Sequence, residues 1–163
     1  MHPRKSEREE DAHAMNETVR RFILDIIEHE HDLTLATVRD DGYPQATTVS
    51  YASDGLTIYV GTGKDSQKVR NIRRCDKVSL TIDTDYSDWS QIRGLSMAAR
   101  AEVLQDRDAV ARAAACLIKK FPQAADWASP EESGDVAFLK ITPEVISVLD
   151  YRKGFGHTEL VRV

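Results

Sequence analysis

One short glycine-containing segment has the residue types best suited to binding a small anion. It reads Gly61-Thr62-Gly63-Lys64-Asp65-Ser66-Gln67-Lys68 and stands where an alternating apolar pattern gives way to a helical one. The first turn of a helix has unpartnered backbone N–H groups and the positive end of the helix dipole. Thr62 and Ser66 add hydroxyl donors and Lys68 adds a positive charge, while the glycines let the backbone approach closely. The segment predicts a phosphate cradle, provided that Asp65 points away from the anion.

Two other interpretations of this segment remain open. The simpler one is a polar turn in which Asp65 or Ser66 only caps the following helix. The other is a dinucleotide-binding fingerprint, since Gly61 and Gly63 match its first two glycines and Asp83 follows at about 20 residues. Ser66 stands where the third glycine belongs, and no βαβ unit follows, so the pattern disfavours the fingerprint.

His157 is the candidate proton donor, because imidazole titrates near neutral pH. It lies in a closing tail, residues 153–160, beside Gly156 and Phe155. Simple exposure to solvent is the alternative role for a lone tail histidine. The sequence has no Gly-x-Ser-x-Gly nucleophile elbow, so nothing supports serine hydrolase chemistry.

Six segments with the two-residue alternation of β-strands position these side chains. They cover residues 33–38, 45–52, 56–60, 78–82, 94–105 and 136–149. Turn signals at Asp41-Gly42 and Asp54-Gly55 join the first three, and such short connections require antiparallel pairing. Pro143 interrupts the last segment, which indicates an edge or a bulge. The spacing favours a closed antiparallel barrel over an open sheet.

Three helical segments flank the predicted strands. The first begins at Asn16, where apolar residues recur with helical spacing; these are Val19, Phe22, Ile23, Ile26 and Ile27. The second covers roughly residues 66–75, and the third is predicted to begin with Asp108 as its cap and to end at Pro122. The chain is therefore predicted to be mainly β with flanking helices (α+β), with a flexible N-terminal tail over residues 1–13 and a single domain over residues 14–163.

Composition excludes several classes of protein. The 163 residues are 41% hydrophobic and 30% charged, as in an ordinary globular domain, and the net charge of −5 disfavours nucleic acid as a partner. No apolar run approaches the length of a membrane span, and the charged first residues are unlike a secretory signal, so a cytoplasmic location is expected. Cys75 and Cys116 are then expected to be reduced and buried, with no metal site.

The order of these motifs resembles a known family. The matching residues are Leu35-Ala36-Thr37-Val38, Asp41-Gly42-x-Pro44, Val49-Ser50-Tyr51, Leu56-Thr57-Ile58-Tyr59, Asn71-Ile72 and Val78-Ser79-Leu80, together with Thr62, Ser66 and Lys68. This set resembles the FMN-binding split-barrel family of pyridoxamine 5′-phosphate oxidase and its relatives, over roughly residues 33–105. The resemblance implies a six-stranded antiparallel split barrel and a homodimer with FMN at the interface.

The resemblance also implies roles for particular residues. Thr62, Ser66 and Lys68 would hold the FMN phosphate, with Gly63 in the same loop and Gln67 where the family often has a second basic residue. One strand would lie along the isoalloxazine ring and contact it mostly through backbone groups; its residues are Thr47, Thr48, Val49, Ser50 and Tyr51. Gly94 occupies a flavin-contact position with Gln91 nearby, and the tail that holds His157 would approach the flavin.

The implied activity is an FMN-dependent oxidoreductase in which hydride passes through flavin N5 to or from an unidentified small molecule. The family's oxidases have a basic residue in the second strand and a Trp- and Arg-containing C-terminal segment. Residues 47–51 have no basic residue, and the tail at 153–160 differs, so pyridoxamine phosphate oxidation itself is not expected. The alternatives are a flavin- or haem-binding module without turnover and a deazaflavin-dependent reductase.

Overall fold

A computed structural model describes residues 12–128 and 133–163 of the chain. The strands are β1 (His13–Ala14), β2 (Asp32–Val38), β3 (Pro44–Ser50), β4 (Ala52–Asp54), β5 (Thr57–Gly63), β6 (Lys77–Asp83), β7 (Arg93–Val103), β8 (Val136–Asp150) and β9 (Thr158–Arg162). The helices are α1 (Glu17–His29), α2 (Gln67–Arg74), α3 (Arg107–Lys120) and the short α4 (Ala125–Ala128). All six predicted strands are present, and the structure adds three short strands, β1, β4 and β9.

The strands form one nine-stranded sheet in the order β1-β9-β8-β7-β6-β2-β3, with β5 on β8 and β4 on β5. Strand β8 pairs with two different strands along one of its edges and so maintains the curvature of the sheet. Its residues 136–141 pair with β5, and its residues 145–149 pair with β9. The predicted split barrel is confirmed. The expectation of full closure is wrong, since in the described residues β3 pairs only with β2 and leaves a gap beside β5.

The predicted irregularity at Pro143 is a β-bulge. Ala98 lies opposite Val145 and Ala99 lies opposite Pro143, so Glu144 is the extra residue. Proline cannot donate to the ladder, and the bulge lets the strand continue past it. The Glu144 carboxylate accepts from Arg100 Nε at 2.9 Å.

Two helices fill the barrel interior from its open ends. The apolar face of α1 buries Ile23, Ile26 and Ile27 among the inward side chains of the strands. Each buried side chain of this size contributes about 1.5–3 kcal/mol. Helix α2 adds Val69 and Ile72 to the same core. Helix α3 lies outside the barrel on β4, β5 and β8, where a second apolar cluster forms.

Three details differ from the sequence predictions. Asp106, not Asp108, caps α3, because its Oδ2 accepts from the Ala109 N–H at 2.9 Å. The predicted closing tail contains β9, which pairs with β8, and His13 pairs with Val161 in a short parallel ladder. Cys75 and Cys116 are free thiols but only half-buried. Of the predicted tail over residues 1–13, residues 1–11 lie outside the described residues, whereas His13 belongs to β1.

None of the helices within the described ranges combines the length and the hydrophobicity that crossing a membrane requires.

Candidate functional site

The proposed phosphate cradle is built where β5 ends and α2 begins. Thr62 lies on the inward side of β5, one residue before the strand ends at Gly63. Ser66 is the N-cap of α2 with extended backbone angles, and Lys68 lies in the first turn. Lys68 Nζ donates to Thr62 Oγ1 at 3.5 Å. The structure therefore brings these three polar side chains to one place, whereas Asp65 is exposed beside them.

Two of these groups have unused hydrogen-bonding capacity. The Ser66 side chain caps no backbone N–H, and its Oγ is buried without a partner among residues 12–128 and 133–163. Among the described carboxylates, none lies within ion-pair distance of Lys68 Nζ. A buried donor without a partner costs about 1–3 kcal/mol. A hydroxyl and an ammonium left available at a helix N-terminus fit a phosphate group.

A buried polar network fixes α2 against the sheet. Asn71 is almost fully buried, and its Nδ2 donates to Thr37 Oγ1 at 3.0 Å and to Gln45 Oε1 at 3.4 Å. Gln67 donates to Asn71 Oδ1 at 2.8 Å and accepts from Arg70 at 2.9 Å. Both ends of the Gln67 amide are thus used within the helix, and the sequence analysis missed the anchoring role of Asn71. A lone asparagine in a short helix gives little signal for it.

Strand β3 presents an open backbone edge next to the cradle. Its residues from Thr47 to Ser50 alternate between half-buried and exposed side chains, and Tyr51 is fully buried. The Tyr51 N–H donates to the His31 carbonyl at 3.1 Å, in register with the β2–β3 ladder. Because hydrogen-bonded pairs alternate in antiparallel ladders, Thr48 and Ser50 direct their backbone N–H and C=O groups away from β2.

A lysine from α3 fixes the end of β3. Lys120 Nζ lies 4.0 Å from the centroid of the Tyr51 ring and donates to the Glu30 carbonyl at 2.5 Å. The Tyr51 hydroxyl in turn donates to the Ile27 carbonyl at 2.7 Å. Burial lowers the pKa of Lys120, against the opposing effect of the Glu30 carboxylate. In the sequence Lys120 looks like an ordinary basic residue at a helix end, so only the structure reveals this contact.

A cavity of about 390 Å³ lies between the gap in the barrel and α3; we call it the apolar cavity. Its polar rim includes Ser50, Thr62 and Gln123. Its apolar wall is formed by Leu117, Phe121, Val136 and Phe138, and Trp127 stands at its exposed side. Through Thr62 and Gly63 the cavity adjoins the cradle, and through Ser50 it adjoins the end of β3.

Gln91 and Gly94 lie away from the cradle of their own chain. Gly94 opens β7 and pairs with Asp83, and a Cβ there would come within 3.2 Å of Asp83 Oδ1. Strands β2 and β6 separate β7 from β3, a distance of about 14 Å at a strand spacing of about 4.8 Å. Gln91 is exposed in a single 3-10 turn just before β7.

His157 also lies apart from the cradle. It is exposed in the turn between β8 and β9, where its backbone N–H donates to the Gly154 carbonyl at 3.1 Å. It lines a cleft of about 190 Å³ with Phe22 of α1 and Arg152. Arg152 Nε donates to the buried Asp150 carboxylate at 2.8 Å, and this hydrogen bond holds the pKa of Asp150 below its usual range.

The comparison with known families decides the broad assignment. A model of the pyridoxamine 5′-phosphate oxidase family matches residues 19–150, which include the barrel strands, the cradle and α3. The protein belongs to the pyridoxamine 5′-phosphate oxidase family.

Individual proteins are also similar to this chain. General stress protein 26 of Bacillus subtilis (strain 168) is 22% identical over 132 residues, which are 81% of this chain and 89% of that protein. A conserved hypothetical protein from Mycobacterium tuberculosis has a TM-score of 0.72 at 25% identity, with 90% of this chain and 92% of that one covered. A haem-binding protein from Mycobacterium smegmatis has a TM-score of 0.76 at 18% identity, with 91% and 60% covered, and this likeness concerns the fold alone.

Proposed function

We propose that the protein is an FMN-binding oxidoreductase that works as a homodimer on a small molecule. The observation that carries this proposal is the cradle, where a buried Ser66 hydroxyl without a partner among the described residues lies at the N-terminus of the helix whose Lys68 donates to Thr62 and has no described carboxylate partner. In a family of phosphorylated-flavin enzymes, such a pair of donors is best explained by the cofactor phosphate. FMN, when bound, supplies reversible hydride transfer at N5.

The chain's own residues would bind and orient the cofactor. Thr62, Ser66 and Lys68 hold the phosphate, and the ring lies along the open edge of β3. There the outward N–H and C=O groups of Thr48 and Ser50 are available to its polar edge. The side chains of Thr47 and Val49 point inward from that strand and set its position.

Flavin suits this site better than haem. Haem iron needs an axial His, Cys, Met or Tyr ligand. Neither the cradle residues Thr62, Ser66 and Lys68 nor the described lining of the apolar cavity includes one of these types. Within the residues that the structure describes, no group of three His, Cys, Asp or Glu side chains is arranged to hold a metal ion.

A second copy of the chain would complete the site. Gln91 and Gly94 are too far from their own β3 to touch a flavin there, but a partner could supply them. The middle of the outward face of β3, β2, β6 and β7 has small side chains, with larger ones such as Lys77 and Arg100 toward the strand ends, and we call this middle part the small-residue face. Its members are Thr34, Ala36, Ala46, Thr48, Ser79, Thr81, Ser96 and Ala98. Such a face permits close sheet-to-sheet contact between two copies.

The deciding experiment combines a spectrum with a matched pair of substitutions. The purified protein, titrated with FMN, is expected to give the flavin absorption bands and quenched flavin fluorescence. Lys68→Gln removes the free ammonium and is expected to weaken FMN binding by about 10–100-fold, since a hydrogen bond to a charged group contributes about 1.5–3 kcal/mol.

Lys64→Gln is the control, because Lys64 lies in the same loop but is paired with Asp135 at 3.4 Å. It is expected to change FMN affinity by less than about threefold. Equal losses in the two variants would show that general charge, not the cradle, attracts the cofactor. Uptake of haem or a deazaflavin in place of FMN would overturn the cofactor assignment.

A further inference from the structure

We propose that the apolar cavity binds an uncharged planar aromatic molecule, of the quinone type, as the substrate of this protein. The proposal that the cavity accepts this class of molecule stands on the lining of the cavity itself. Its further assignment as a substrate rests on the proposed flavin function, because only a flavin beside the cavity would make such a molecule a redox partner.

The described lining of the cavity carries no formal charge. Among the described residues that line it, none is Lys, Arg, His, Asp or Glu. Moving an ionised group into such surroundings without a partner is strongly unfavourable. A phosphorylated substrate would therefore find no counter-charge in the cavity itself, and the nearest free ammonium, Lys68, already serves the cofactor phosphate in the proposed function.

The shape and the walls favour a planar ring. The volume of about 390 Å³ suffices for a small aromatic molecule. Phe121 and Phe138 contribute aromatic rings to the wall, and Trp127 offers a third at the entrance with 74% of its surface exposed. Aromatic pairs contribute about 0.5–1.5 kcal/mol beyond the area that they bury. An exposed tryptophan at the mouth of an apolar cavity gains this contact only when a ligand covers it.

The polar rim suits one or two neutral oxygen atoms. Gln123 and Ser50 stand at the rim away from the proposed phosphate contact of Thr62, and the Gln123 amide can both donate to a carbonyl and accept from a hydroxyl. The Ser50 hydroxyl already donates to Asp32 Oδ1 at 2.8 Å, so its remaining capacity is as an acceptor. A quinone carbonyl at the Gln123 side would be matched by the amide donor.

The test uses the two tryptophans of the chain as local reporters. In Trp89→Phe the only indole is Trp127, and in Trp127→Phe it is Trp89, which lies in the turn before β7. The probe is duroquinone, which is uncharged, planar and fully substituted, so it does not add to thiols. We expect saturable quenching in Trp89→Phe and only linear, collisional quenching in Trp127→Phe. Pyridoxine 5′-phosphate, similar in size but charged, should bind at least about tenfold more weakly in a Trp89→Phe/Lys68→Gln background, where the ammonium of the adjoining cradle is removed.

A matched pair of charge insertions then locates the binding site. Ala124 lines the cavity, whereas its exposed neighbour Ala125 does not. Ala124→Glu should weaken duroquinone binding at least about tenfold, and Ala125→Glu should change it by less than about twofold. Equal quenching of both tryptophans, equal affinity for the charged probe, or equal effects of the two insertions would overturn the inference.

Equilibrium dialysis of duroquinone with and without FMN separates this inference from the proposed function. Binding to both forms of the protein supports it, while competitive displacement by FMN overturns it, because the cavity would then be the flavin's own. If duroquinone binds at Trp127 but FMN is never taken up, the ligand class is supported and the flavin function fails. If FMN binds and duroquinone does not, only the inference fails.

Discussion

At the scale of single residues, Ser66 is the most informative position in the molecule. N-cap serines ordinarily accept a hydrogen bond from the backbone of the first helical turn. Ser66 makes no such bond, although Asn16 and Asp106 both do so at their helices. A hydroxyl that is buried and unpartnered in the free protein is poorly explained by folding alone, and a ligand would satisfy it.

The substitution Ser66→Ala separates folding from binding. Because Ser66 Oγ has no partner, its removal should leave the free energy of unfolding unchanged or raise it by up to about 1 kcal/mol. FMN affinity should nevertheless fall by about fivefold or more, since a phosphate contact is lost. Urea denaturation and FMN titration measure the two effects, with the exposed Ser87→Ala as control. A stability loss without an affinity loss would mean that Ser66 is only a helix cap.

Asp150 should make stability depend on acid pH. Its pKa is lowered chiefly by the Arg152 hydrogen bond, so its stabilising contribution is present above the ordinary value of 3.8 and is lost as pH falls through the lower folded-state pKa. Asp150→Asn should destabilise the protein at neutral pH by about 1–2 kcal/mol, since half of the Arg152 side chain is exposed. The difference in the free energy of unfolding between this variant and the wild type should become smaller below pH 3.8, as measured by urea denaturation at a series of pH values. A stability difference that stays constant with pH would show that the charge of the Asp150 carboxylate does not contribute to stability.

At the scale of elements, the short helix α2 sets the position of the cradle relative to β3. Among its described residues Val69 and Ile72 anchor it by apolar contact, and the buried Asn71 network, together with the Arg74 hydrogen bond to the Val38 carbonyl at 2.7 Å, attaches it to β2 and β3. This attachment sets the distance between the cradle on α2 and the open edge of β3. In the proposed function, α2 would therefore position the cofactor phosphate relative to the ring.

Asn71→Ala should destabilise the protein by about 1–3 kcal/mol, because Gln67 loses its acceptor and Gln45 its donor. FMN affinity should fall as well, although Asn71 contributes nothing to the cradle itself. Chemical denaturation and flavin titration test both effects. Arg73→Ala, an exposed change on the same helix, should stay within about 0.5 kcal/mol of the wild type. If both variants are equally stable, the network does not hold α2.

At the scale of the whole molecule, the barrel is open where β3 and β5 fail to pair. The gap leaves backbone groups of β3 without partners from the described residues, which is unfavourable for an isolated chain. A flavin and a second copy would together cover this edge and the small-residue face. The same arrangement would bring Gln91 and Gly94 of one chain toward the flavin of the other.

Ala98→Glu places a charged side chain in the middle of the small-residue face. It should convert a dimer to a monomer in sedimentation velocity and reduce FMN affinity by about tenfold or more, because the site loses its partner. Ala115→Glu, on the exposed side of α3, introduces the same charge elsewhere and should change neither property. A monomeric wild type that binds FMN with full affinity would contradict the dimeric site.

Local patterns were sufficient for the strands, the helix faces and the placement of Thr62, Ser66 and Lys68 where a strand ends and a helix begins, while the binding of a phosphate there stays a prediction. The alternation of β2 and the helical stripe of α1 each appear as predicted, because both follow from burying one face of a regular element. The Asp108 cap was misplaced by two residues, because Asp106 and Asp108 offer similar signals and only the backbone angles choose between them. Strand β9 was missed, because its one buried residue, Val161, gives almost no alternation.

The sequence by itself determined the family, the kind of fold and which residues could grip an anion, since these depend on local residue types and their order. Within the part of the chain that the structure describes, only the tertiary structure decided that the barrel stays open, that Ser66 lacks a partner and that a cavity with an uncharged lining adjoins the cradle. Those features depend on contacts between residues far apart along the chain, such as Asn71 with Thr37 and Lys120 with Glu30. No local pattern encodes such a contact, because its free energy arises only when folding brings the two groups together.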